Sequence, residues 1–176
     1  MTRTFLAAAV VALFVPTSAL AQSNPFTDAA KAQFAQIKTN IIRTAEKVPE
    51  DLYAFKPTPE VRSLGQLLAH IADGNFGICG AGSGMKPTMS GIEKSTGGNG
   101  KAAIQKALAA SFEFCESAWA SMDNTKSPEV VKTFLGTQPR FSVLSFNTSH
   151  VWEHYGNLVT YMRLKGIVPP SSEPTK

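Results

Sequence analysis

The sequence predicts an all-α fold, a bundle of four main helices. Three observations lead there. Apolar residues recur at helical spacing in four separate stretches, strand-like alternation is not sustained anywhere, and capping residues and prolines fall between the stretches. The chain has 176 residues, of which 43% are hydrophobic and 17% charged. That is the size of one domain, with enough apolar material for a core and too little charge for a disordered chain.

The first helix is expected from Asp28 to Lys47, with Thr27 as N-cap and Pro49 as the stop. Phe34, Ile37, Ile41 and Ala45 form its apolar face. Residues Pro49 to Arg62 read as an irregular link pinned to the core by Tyr53 and Phe55. The second helix starts after Ser63, a good N-cap, and is expected to run to Phe76 with Leu64, Leu67, Leu68 and Ile71 facing inward. Gly80 to Gly100 is a long Gly-rich connection, with a turn of helix around Ile92. Connections of this length are often functional lids, and the alternative is a plain solvated crossover. The third helix is expected from Lys101 to Met122, with Ile104, Leu108, Phe112, Cys115 and Trp119 along one side. A polar break and a short unassigned segment, Val130 to Pro139, lead to a fourth helix from Arg140 to Gly166, which is the expected C′ residue. The tail 171–176 reads as loose.

Residues 1–21 have the pattern of a secretory signal peptide. Arg3 is the positive start, Phe5 to Val15 an apolar run, and Ala19-Leu20-Ala21 a small-x-small cleavage site. The apolar run is too short for a stable span of a bilayer about 30 Å thick. The bundle domain is therefore expected over 22–170, in the periplasm or the medium, with no membrane association after cleavage. In an oxidising compartment the two cysteines, Cys79 and Cys115, form a candidate disulfide; buried or reactive free thiols are the alternatives. Neither lies in a C-x-x-C motif, which disfavours thioredoxin chemistry and covalent haem. The net charge of +4 includes no Lys/Arg run, so nucleic acid is not an expected partner. A homodimer is left open.

Three histidines make up the chain's whole complement. His150 and His154 sit four residues apart on the fourth helix, so both rings share one face. That face also carries Val143, Phe146, Val151, Leu158, Tyr161 and Leu164, along with Asn147 and Asn157. A polar line on an apolar face needs partners, and a metal ion is one way to supply them. His70 lies at the flank of the second helix's apolar stripe. Spacing alone goes no further than a candidate metal site, the plainer reading being half-buried histidines satisfied within the fold. The metalloprotease pattern H-E-x-x-H is not present.

Two stretches carry a family resemblance. FNTSHVWEHYGNLVTYMRLKGIVPPS, from Phe146 to Ser171, resembles the C-terminal signature of the DinB/YfiT-like family. VRSLGQLLAHIADGNF, from Val61 to Phe76 and preceded by FKPTPE, resembles its second helix. The resemblance implies a four-helix bundle with a divalent metal held between helices by His70, His150 and His154. Many relatives carry an Arg directly after the last His and a Gln two residues later. Tyr155 and Asn157 stand there, so a role for that Arg does not carry over.

Three imidazoles leave an open position on a small cation, the arrangement of a catalytic site. Zinc, nickel, iron and manganese all accept imidazole and are not distinguished. The resemblance thus implies a metal-dependent enzyme of hydrolase or transferase type acting on a small molecule. Some relatives activate a low-molecular-weight thiol instead, a chemistry less suited to an exported protein. The alternative is a non-catalytic bundle that binds metal or serves structure alone. Asn147 and Asn157 are the candidate residues to hydrogen-bond a metal ligand or a substrate, and Glu153 is the nearest acid in sequence. Export makes the first prediction. The intact mass of the secreted protein should place its N-terminus near Gln22, and a secreted form retaining Met1 would refute the cleavage.

Overall fold

The computed structural model describes residues 24–174; the expected signal peptide lies outside them. Helix α1 spans Pro25–Lys47. It starts earlier than expected because Asn24 is the N-cap, its side chain accepting from the Thr27 N–H at 3.1 Å, with Pro25 preset for the first turn. Thr27 is buried inside the helix instead. The Lys101 ammonium donates to the Glu46 and Val48 carbonyls, satisfying acceptors that the end of α1 leaves open. A 3-10 turn, Glu50–Leu52, leads into Tyr53, whose hydroxyl donates to the Ala45 carbonyl at 2.8 Å. Phe55 packs against the core, so both aromatics hold the link as expected.

Helix α2 spans Leu64–Ser83 and opens on a full capping box between Ser63 and Gln66. It continues about two turns past Phe76, although Gly77, Gly80 and Gly82 weaken a helix when judged one residue at a time. Burial overrides that propensity. Cβ atoms on Gly80 and Gly82 would come within 3.0 Å of Pro87 and Leu144. Gly84, at φ 79°, ends the helix.

The Gly-rich connection contains a short helix α3, Ile92–Thr96, near the expected turn. Its exit is laid directly on α2. A Cβ on Gly65 would stand 1.9 Å from the Gly98 carbonyl oxygen, and Gly98 itself has φ 82°. The connection is packed on the bundle at Ile92 and Gly98, whereas residues 86–91 are exposed.

Helix α4 spans Lys101–Ala120. Val130–Thr133 (β1) and Gly136–Pro139 (β2) then form an antiparallel hairpin, which the sequence reading left unassigned. Four residues per strand are too few to show a period of two, and the ladder depends on the turn at Gly136, at φ 89°. Helix α5 spans Arg140–Leu164, and Gly166 follows with φ 69°. Leu164 is 60% exposed and Phe146 41% exposed, so the inward face is narrower than the sequence suggested. The tail is not loose through Glu173. Pro170–Ser172 form a 3-10 turn, and Glu173 pairs with Arg43 and Lys47 of α1.

The central element is α2, which packs mainly against α4 and α5, while α1 closes the bundle on α5 and α4. Ile37, Ile41, Leu68, Ile71, Leu108, Phe112 and Leu144 are fully buried where the helices meet. Among the described residues no helix is long and apolar enough to cross a membrane. Cys79 on α2 and Cys115 on α4 are joined in a disulfide, with Cα atoms 5.4 Å apart, within the usual range. Closing a loop with a sequence separation of 36 restricts the unfolded chain, by roughly 3–4 kcal/mol in the chain-entropy model. Urea unfolding of the oxidised protein should therefore show a clearly higher midpoint than after reduction. Coincident curves would mean the bond contributes nothing.

Candidate metal centre

Three helical turns bring the histidines together. His70 lies in the second turn of α2, and His150 and His154 lie on successive turns of the facing side of α5. The helices approach closely because α2 has no side chain at Gly74. A Cβ there would stand 2.6 Å from Cε1 of His150, so the His150 ring lies directly over the α2 backbone. The Nε2 atoms of His150 and His70 are 3.3 Å apart, and those of His154 and His150 are 3.0 Å apart. One ligand nitrogen from each ring falls within 4.8 Å of the other two. The rings of His150 and His154 are perpendicular.

This donor set fits a small divalent cation. Nitrogens sharing an ion at about 2.0–2.1 Å each must lie about 3–4 Å apart. A proton on one of three facing nitrogens serves one neighbour well, whereas a central cation serves all three. Burial, reinforced by the charges of His154, His70 and Arg62, lowers the His150 pKa to about 4. Burial also lowers that of His154, with His70 the next cause. Both rings are therefore neutral near neutral pH, the form in which imidazole ligates.

Behind the triad stands a carboxylate that the sequence reading missed. Oε2 of Glu93, on α3, lies 3.2 Å from Nδ1 of His70. Its other oxygen accepts from Arg62 Nε at 2.8 Å. Asp73, three residues beyond His70, accepts from the backbone N–H groups of Ile92 and Glu93, each at 2.9 Å, and so caps α3. Thus α2 holds α3, and α3 returns a carboxylate to the first histidine. A carboxylate on the far nitrogen fixes the ring's tautomer and raises its basicity as a ligand. By contrast, Nδ1 of His150 and of His154 is buried without a hydrogen-bond partner. The sequence signal for it is an acidic residue inside a long Gly-rich loop.

The two asparagines separate. Asn147 does not reach the histidines. It is fully buried, donates to Asn75 Oδ1 at 2.9 Å and lies against the Cys115 sulfur, and Asn75 in turn donates to Ser111. Its polarity is used in packing α2, α4 and α5, because its place on α5 is one turn before His150 and deeper in the bundle. Asn157 is exposed and lines a cavity of about 550 Å³ together with His154, Glu153, Arg62, Glu93 and Tyr161. Tyr155 is buried, and its hydroxyl accepts from the Ser171 N–H at 3.0 Å, so it anchors the tail.

A model of the DinB superfamily matches residues 33–158, a range that holds the histidines, Glu93 and both cysteines. The chain belongs to the DinB superfamily. No curated protein matches it. Among solved structures it is similar to the mycothiol-dependent maleylpyruvate isomerase, with a TM-score of 0.61 at 18% identity. A single-residue mutant of that isomerase gives 0.62 at 17%. In both cases the match covers 75% of this chain and 60% of the other, so this DinB-superfamily chain spans under two thirds of the isomerase. At that identity the likeness shows the fold.

Two substitutions test how the centre is held. Glu93→Gln removes the charge behind His70 and should weaken metal binding by about 10- to 100-fold. Gly74→Ala pushes the His150 ring away and should weaken it as well, with the helical circular dichroism retained. Competition titration with a chromogenic chelator reads both. Wild-type affinity in both variants would show that neither residue positions the site.

Proposed function

We propose that this DinB-superfamily chain is an exported metal-dependent enzyme, of hydrolase or transferase type, acting on a small molecule in the cavity beside His154. The observation that carries this reading is the convergence of three Nε2 atoms, with His154 also lining an open cavity. A purely structural metal site would be closed by a fourth protein ligand. Among the described residues the only group of three or more such ligands is His70, His150 and His154.

The residues divide the work. His70, His150 and His154 would hold the cation, which supplies Lewis acidity to activate water or polarise a substrate oxygen. Glu93 keeps the His70 proton on Nδ1, so that Nε2 faces the centre. Gly74 leaves room for His150, and Phe146 stacks on that ring at 23° between planes. Tyr161 and Leu67 form part of the cavity wall, and Glu153 and Asn157 offer polar groups to a bound molecule. The solved neighbours are named for a mycothiol-dependent isomerisation. The Cys79–Cys115 disulfide and the sequence pattern of residues 1–21 favour an oxidising compartment for this chain, where a thiol-dependent reaction is less suited.

Elemental analysis of the purified mature protein should find close to one divalent metal per chain. His154→Ala and His70→Ala should each lose most of it while remaining helical, because the apolar core does not depend on the ion. A screen of ester, amide and group-transfer substrates should then find activity that a chelator abolishes. Unchanged metal content in both variants would end the triad. Full metal with no chelator-sensitive turnover would favour a non-catalytic metal-binding bundle.

A further inference from the structure

The cavity beside His154 contains a cation whose setting the metal site does not explain. Arg62 lies in the extended segment just before α2, and three contacts define its place. Its carbonyl accepts from the Tyr161 hydroxyl at 3.1 Å, tying its backbone to α5. Its Nε donates to Glu93, which sets the plane of the guanidinium. The same Glu93 carboxylate touches His70 through its other oxygen, so Arg62 stands one carboxylate away from the histidine cluster. Among the described residues its terminal amino groups make no hydrogen bond, and the side chain is 43% exposed along the cavity. An arginine held by Nε presents a planar pair of donors suited to bidentate capture of a carboxylate. Lys56, on the same wall, adds a second positive charge without an ion pair among the described residues.

The cavity also has carboxylates, and their positions matter. Glu93 is committed to Arg62 and His70. The Glu60 carboxyl is held below the usual carboxylate range by its own backbone N–H and by Thr58, within its own turn. Glu153 remains, exposed on α5. Arg62 therefore offers the cavity a charged, directed pair of donors at a fixed offset from the histidines, beside the neutral amides of Gln66 and Asn157.

We propose that this cavity selects small organic acids, with one carboxylate docked on the Arg62 guanidinium while the opposite end of the molecule meets the histidine cluster. This rests on the metal-enzyme reading above. Arg62 is then a specificity-determining residue, and the preferred ligand carries an anionic group at both ends or an anion opposite its reacting group.

Cobalt-loaded protein provides the test, because its visible spectrum responds to ligands near the metal. Succinate, acetate and the diamine putrescine are titrated separately. Succinate should bind about 10-fold or more tightly than acetate, the scale expected of one charge-assisted contact, and putrescine should not compete. Arg62→Gln, loaded with cobalt to the same content as the wild type, should reduce succinate to the level of acetate while its circular dichroism stays unchanged. Arg62→Lys, which keeps the charge but loses the fork, should recover part of the preference. Equal binding of succinate and acetate, a preference that survives Arg62→Gln, or tighter binding of putrescine would overturn the proposal. Wild-type protein that takes up no cobalt would refute the metal reading and this proposal together. Cobalt uptake without an Arg62-dependent preference would refute this proposal alone.

Discussion

The centre of this molecule depends on one close approach, that of α5 to α2 at Gly74. An imidazole rests where a side chain would otherwise stand, and its Nε2 is thereby brought within 3.3 Å of a histidine 80 positions away in sequence. Interiors are packed too tightly to absorb a displaced methyl group without moving something. The geometry of the site is consequently a packing outcome before it is a chemical one. The other glycines of α2 have related uses. Gly65 admits the carbonyl of Gly98, and Gly82 admits Leu144 of α5. A helix with weak intrinsic propensity persists because nearly every turn of it is covered.

On this frame the middle of the loop between α2 and α4 is tied to the site by a chain of hydrogen bonds. Asp73 caps α3, α3 carries Glu93, and Glu93 joins His70 to Arg62. Short helices are marginal alone, since nucleation costs more than one or two hydrogen bonds return. Here an α2 carboxylate supplies the cap and burial of Ile92 the anchor. The connection thus acts as a brace for the first histidine.

The disulfide and the histidine cluster lie on different sides of α2. The side facing α4 carries the disulfide, Asn75 and the buried side chains around Phe112. The side facing α5 and α3 carries His70, Asp73 and Gly74. Asn147 lies on the disulfide side although it shares a helix with the histidines, and its hydrogen bond to Asn75 joins α5 to α2 in the interior. A buried amide of this kind must be partnered to be tolerated, and it was this need, not a ligand, that the polar line along α5 partly reflected.

Local signals in the sequence were sufficient for the helices, for the caps at Ser63 and Gly166, and for placing His150 and His154 on one face. Each follows from residues within a turn or two of one another, where a period of 3.6 and the chemistry of chain ends act directly. The family signature in α2 and α5 added His70 to that pair. Tertiary structure decided the rest. It carried α2 past Phe76, paired β1 with β2, closed the Cys79–Cys115 bond, sent Asn147 inward and Asn157 outward, and brought Glu93 to His70. Each of these depends on groups distant in sequence meeting at a distance set by packing, and periodicity along one chain segment contains no information about which partner will stand opposite.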